Sequence, residues 1–124
     1  MYDNITRTET DRRSVSSPWS RDQNTQLVFF DGQIPDEETA LNQGIQQQTR
    51  ATLEHLCAVA AESGIEVQDL LRTTVYLTEM SQSGAVERAY DEFFENKRPS
   101  LTLVGVEALP NSAAVQIEAT GVDR

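Results

Sequence analysis

Residues 39–63 read TALNQGIQQQTRATLEHLCAVAAES. Leu41, Ile45, Thr49, Thr52, Leu53, Leu56, Val59 and Ala60 recur at three-to-four spacing and fall on one stripe, so Thr39–Ser63 is predicted to be an amphipathic helix. Gly64 is a natural C-terminal stop. Gly44 costs such a helix a little stability and permits close packing. Before the helix, QLVFF at 26–30 is a compact β-rich run, bounded by Asp31-Gly32 and then Pro35, and reads as a buried strand. After it, RTTVYLT at 72–78 is β-branched and aromatic and reads as a second strand, while Val67–Leu71 fits no single pattern. A long helix between two strands is the unit from which the rest of the chain is read.

Outward from that unit, Ala85–Glu95 is a second helix. Val86, Ala89, Tyr90, Phe93 and Phe94 form its apolar face, and Glu87, Arg88, Asp91, Glu92 and Glu95 its polar one. Arg98-Pro99-Ser100 ends it. Leu101–Val106 reads as a buried strand, and in Ala114–Val122 Val115, Ile117 and Ala119 alternate with Gln116, Glu118 and Thr120. The first 24 residues are polar, with room for a short strand at Arg13–Ser16 and a turn at Ser17-Pro18. The order strand, helix, strand, helix, strand, strand predicts an α+β fold, a mixed sheet with both helices on one face. The other face must also be hidden, and in so small a chain self-association is the obvious cover.

The chain has 124 residues and a mass of 13.8 kDa, the size of one domain. Ten basic residues against twenty acidic ones give a formal charge of −10, which disfavours nucleic acid and anionic membranes as partners because like charge repels phosphate. All basic residues but Lys97 are arginine, a bias that suits a protein kept hydrated by surface carboxylates in high salt. Cys57 is the only cysteine, so no internal disulfide forms, and with no apolar signal-peptide core in MYDNITRTETDRR the expectation is a cytoplasmic protein. His55, the only histidine, reads as an ordinary helix residue and Cys57 as a small hydrophobe. No phosphate-binding, dinucleotide-binding or metal-ligand motif is present, so no metal and no cofactor are expected.

Six stretches together resemble the Rid family, also called the YjgF family, of reactive-intermediate deaminases. They are SPWS (17–20), QLVFFDGQIP (26–35), GIQQQTRATLEHLCAVAAESG (44–64), LLRTTVYLTEM (70–80), AVERAYDEFF (85–94) and SLTLVGVEALPNSAAVQIEA (100–119), matching over about residues 13–121. The resemblance implies a chorismate-mutase-like α+β protomer and a homotrimer with clefts at the subunit interfaces. It also implies hydrolysis of 2-imino acids to 2-keto acids and ammonia. In that chemistry an arginine fork clamps the substrate carboxylate, and polar groups place a water against the imine carbon.

The same resemblance places the departures. The clamp arginine of the family's P-A-R-S segment falls on Leu101, and a position that often holds cysteine or threonine falls on Leu103. The family's tyrosine becomes Trp19, its serine before the retained Gly32, Gln33, Ile34 and Pro35 becomes Asp31, and its asparagine on the second helix becomes Glu87. The glutamate that helps orient water becomes Gln116, while the next one is retained as Glu118. The cleft so assigned loses an arginine and gains two carboxylates, which disfavours a carboxylate-bearing imine. The nearest replacement cations are Arg98 and Arg21; Arg98 stands an odd number of residues before Leu101, so strand alternation would send it to the opposite face. The expected function is therefore a trimeric, divergent family member that binds a small molecule without standard 2-iminopropanoate deaminase activity. Trp19, Asp31 and Glu87 would suit an amine or other cation. The alternative is a deaminase of imines or enamines with a rebuilt site. A ribonuclease or translation inhibitor is the remote reading, because basic clusters for phosphate are lacking.

Overall fold

The structure is a computed structural model and describes residues 26–95 and 97–123; the expected strand at Arg13–Ser16, like Trp19 and Arg21, lies outside these. The elements are β1 (Gln26–Gln33), α1 (Glu37–Asn42), α2 (Ile45–Glu62), β2 (Leu70–Leu77), α3 (Ser83–Phe94), β3 (Ser100–Gly105) and β4 (Val115–Asp123). They form one four-stranded sheet in the order β1-β4-β2-β3. β2 and β3 run parallel, joined through α3, and the other two pairings are antiparallel. This is the mixed α+β sheet the sequence predicts.

Alternation sorts each strand into two faces. Val75, Ile117 and Leu103 are register partners on the helix side, where they join Leu53, Leu56, Val86 and Tyr90 in the core. One residue further along, Tyr76, Gln116 and Val104 form the corresponding row on the open face. Phe29 also stands on the open face and is 71% exposed. Among the described residues, no element covers this aromatic-bearing sheet face.

The long predicted helix is two helices. Asp36 caps α1 by accepting from the Thr39 N–H at 2.9 Å, and the chain turns extended at Gln43 and Gly44 before α2 begins. Gly44 is therefore the N-cap of α2 and not an interior residue. The break is made tolerable by Gln48. Its buried amide donates to the Ala40 and Gln43 carbonyls, both at 3.0 Å, and accepts from the Ala114 N–H at 2.9 Å. Unpaired carbonyls at a buried helix end are costly, and one side chain here satisfies two of them while fixing the start of β4. The unassigned 67–71 segment is a 3-10 turn, Val67–Asp69, running directly into β2.

Candidate functional site

The cleft positions assigned from sequence do not gather on one side of the protomer. Leu101 and Leu103 lie on β3, the edge strand, partly buried and packed against the core from the helix side. Glu87 is on the same side of the sheet, exposed on α3. Gln116 stands on the open face of β4. It lies against Gly32, where a Cβ would meet the Gln116 side chain, so a larger residue there would push the Gln116 amide aside. Gly32 and the exposed Asp31 form a β-bulge in β1: Phe30 pairs with Ala119 and Gln33 with Ile117, so two residues oppose Glu118 alone. The fold joins Gly32 to Gln116, sets Leu101 beside Leu103, and keeps the two groups on opposite faces.

Two polar arrangements escaped the sequence reading. On the open face the Tyr76 hydroxyl donates to Glu118 Oε1 at 2.7 Å, and the Glu118 carboxylate pushes the Tyr76 phenol above its usual range. The register that pairs Tyr76 with Gln116 and Thr74 with Glu118 was the missing signal, since no local pattern reveals a cross-strand diagonal. On the helix side Tyr90, fully buried, shares a hydrogen bond with Thr73 Oγ1 at 2.6 Å and donates to the Pro99 carbonyl at 3.2 Å. Burial pushes its phenol up to about 12. Tyr90 was read as apolar filling; its hydroxyl ties α3 to β2 and to the residue that leads into β3.

Arg98 does not follow the expected alternation, because it precedes β3 and is not part of the strand. Its guanidinium bonds Asp91 Oδ1 at 2.8 Å and lies 5.7 Å from the centre of the Tyr90 ring, so it is engaged with α3 on the helix side. Two hollows lie elsewhere. One of about 520 Å³ is lined by Cys57, Ala60, Gly64, Ile65, Val67 and Leu70, and burial pushes the Cys57 thiol up, away from a reactive thiolate. The other, of about 460 Å³, contains His55, whose Nδ1 approaches the Ile34 carbonyl at 3.5 Å. Among the described residues no three His, Cys, Asp or Glu side chains form a metal-ligand group, and no helix is long and apolar enough to cross a membrane.

A family model described as Endoribonuclease L-PSP matches residues 10–122. The chain belongs to that family. Among curated relatives, the 2-iminobutanoate/2-iminopropanoate deaminase of Salmonella typhimurium is 32% identical over 103 residues, covering 79% of this chain and 80% of that protein. A RutC family protein of Pyrococcus abyssi is 32% identical over 96 residues, covering 75% and 76%. Among solved structures, Escherichia coli TdcF with bound serine superposes with a TM-score of 0.73 at 27% identity, covering 89% of this chain and 91% of that one. The Rid-like resemblance and its fold therefore stand. The curated relatives this chain matches include proteins named as deaminases, so the word endoribonuclease in the family's description assigns no activity to this chain.

Proposed function

We propose that this L-PSP family protein works as a homotrimer whose interface clefts bind a small molecule other than a standard 2-imino acid. The observation that carries this reading is the clamp position. Leu101 stands there, packed toward the core, and the nearest described arginine in sequence, Arg98, already holds Asp91 and the Tyr90 ring. A leucine side chain cannot replace the bidentate donor pair an arginine gives a carboxylate. The division of Gly32–Gln116 and Leu101–Leu103 between two faces supports a cleft completed by a second copy, and exposed Phe29 supports a covered open face. Asp31 and Glu87, both exposed, favour an amine or another cation over an anion.

The second reading is an imine or enamine deaminase with a rebuilt site, favoured by the likeness to the Salmonella enzyme. In it, water adds to the imine carbon, the carbon–nitrogen bond breaks, and keto acid and ammonia leave. The two readings separate in a coupled assay. An amino-acid oxidase generates 2-iminopropanoate, semicarbazide competes for it, and the purified chain is titrated in at low salt and in molar potassium chloride. Inertness at both salts, with a trimeric mass by light scattering, is expected. Hydrolysis on a par with the Salmonella enzyme would sink the lost-clamp reading, and a monomeric mass would sink the interface cleft.

A further inference from the structure

Charge is sparse on the sheet. Among the described strand residues the charged ones are Asp31 on β1, Arg72 on β2, and Glu118 and Asp123 on β4. Asp123 ends β4 opposite Gln26, away from the other three. Thr73 is buried on the helix side, bonded to Tyr90, so alternation puts Arg72 and Thr74 on the open face. Register then sets three rungs there in order: Arg72 with Thr120, Thr74 with Glu118, and Tyr76 with Gln116. Arg72 and Tyr76 are thus the two diagonal neighbours of Glu118 on β2.

Glu118 uses only one of these diagonals. The Tyr76 hydroxyl donates to its Oε1 at 2.7 Å and draws the carboxylate toward the Gln116 rung, away from Arg72. Arg72 is exposed and forms no ion pair among the described residues. Asp31, in the bulge opposite Glu118, adds a second carboxylate near that rung. An arginine and a carboxylate therefore share one face, one rung apart, without meeting. In open solvent this costs little, because water serves both. Under a cover each would be an uncompensated charge, which is strongly unfavourable. A cover for this face must bring a cation to Glu118 and an anion to Arg72. A second copy of the chain brings one of each on the same face. Phe29 pairs with Thr120, so the exposed ring stands on the Arg72 rung and adds apolar area to the same contact.

We propose that neighbouring copies are locked across their open faces by an ion pair between Arg72 of one copy and Glu118 of the next. Tyr76 is the positioning residue: it keeps Glu118 off the Arg72 of its own chain. A closed ring of three gives three such pairs, because each copy donates its arginine in one direction and its carboxylate in the other. Asp31, exposed on the edge strand, strengthens the pull on the incoming guanidinium. The inference rests on the trimer proposed above and names the side chains that hold it.

The test is subunit exchange of the full chain. Two pools carrying donor and acceptor dyes are mixed, energy transfer reads the exchange rate, and light scattering reads the mass. Arg72→Gln and Glu118→Gln each strand one charge in the contact and should speed exchange by about tenfold. Glutamine at 118 can still accept from Tyr76, and Arg72 is exposed, so both variants are expected to fold. The double variant strands neither charge and should also be about tenfold faster or less, where independent effects would multiply to about a hundredfold. Tyr76→Phe frees Glu118 to reach its own Arg72. It should speed exchange about threefold in the unaltered chain and change nothing once Arg72 is glutamine. Single variants that exchange like the unaltered chain would overturn the ion pair and leave the trimer standing. So would a double variant about a hundredfold faster. A monomeric mass with no energy transfer would hand the face to another occupant and overturn trimer and pair together.

Discussion

Two corners tie the helices to the sheet, and they use opposite chemistry. At the α1–α2–β4 corner, Gln48 is 5% exposed, neutral, and engaged through three hydrogen bonds to backbone. At the α3–β3 corner, a buried Tyr90 node is overlaid by an exposed Arg98–Asp91 pair at 2.8 Å. A buried neutral bond is costly to break and indifferent to salt, because the groups left behind cannot turn to water. An exposed ion pair is cheap and adjustable, since solvent and ions compete for both partners. The molecule fixes one end of its helix layer and leaves the other tunable.

The sharpest way to break this comparison is Gln48→Leu. The substitution fits the volume and strands two carbonyls and one N–H, so a loss of about 3 kcal/mol is expected, equal at low and high salt. Urea unfolding at the two salts measures it. A loss below about 0.5 kcal/mol would mean that water replaces the amide and that the corner is open to solvent.

Tyr90→Phe should cost less, about 1.5 kcal/mol, because packing is kept and only the hydroxyl bonds to Thr73 and Pro99 go. It carries a pH signature. The Tyr90 phenol rises from 10.0 to about 12 in the fold, so the folded chain holds that proton more tightly than the unfolded one. Its contribution is complete below about 10 and is lost as pH rises through about 12. The phenylalanine variant should therefore show a flatter alkaline limb in a pH series of melting temperatures. An unchanged limb would assign the alkaline loss to other groups.

Asp36 gives the acid counterpart at the first corner. Its hydrogen bonds from Thr39 hold the carboxyl below its ordinary range. The stability it adds is thus present at neutral pH and lost as pH falls through the folded value. Asp36→Asn keeps a capping oxygen and drops the titration, so the acid limb should flatten while helix content at pH 7 is retained. A drop in helix content at neutral pH would show that the charge, not the cap, fixes α1.

How much of this was legible beforehand follows from the range of each interaction. The strands at QLVFF and RTTVYLT announce themselves through composition and the helix at 85–95 through local period, and the structure has them within a few residues, but QLVFF is not the buried strand expected: β1 is an edge strand with Leu27 and Phe29 exposed and Phe30 buried. The break at Gln43-Gly44 was hidden, because Leu41 continues the α2 stripe in the sequence although it is exposed in the structure, and what makes the break affordable is Gln48 reaching Ala114, 66 residues away. Period cannot register such a contact. The cleft positions came from resemblance alone. The structure adds that Gly32 and Gln116 touch and that Leu101 and Leu103 face the core, facts of register that no run of residues displays. Arg98 was misplaced for the same reason: alternation holds inside a strand, and Arg98 is outside one.

The smallest expected effect tests the tunable corner most directly. A double-mutant cycle on Arg98→Met and Asp91→Asn isolates the ion pair from its surroundings. Methionine keeps an apolar stem near the Tyr90 ring, and asparagine keeps the shape of Asp91 while relieving its repulsion with Glu95. The two single variants should therefore differ in sign at low salt, with Asp91→Asn neutral or mildly stabilising and Arg98→Met mildly destabilising. The coupling between them should be about 0.5 kcal/mol at low salt and near zero in molar salt. A coupling that persists at high salt would mean the pair is shielded from solvent, and the second corner would then resemble the first. A coupling absent at both salts would leave the Tyr90 hydroxyl as the side-chain tie at that corner, and the contrast would reduce to the three hydrogen bonds of Gln48 against the two of Tyr90.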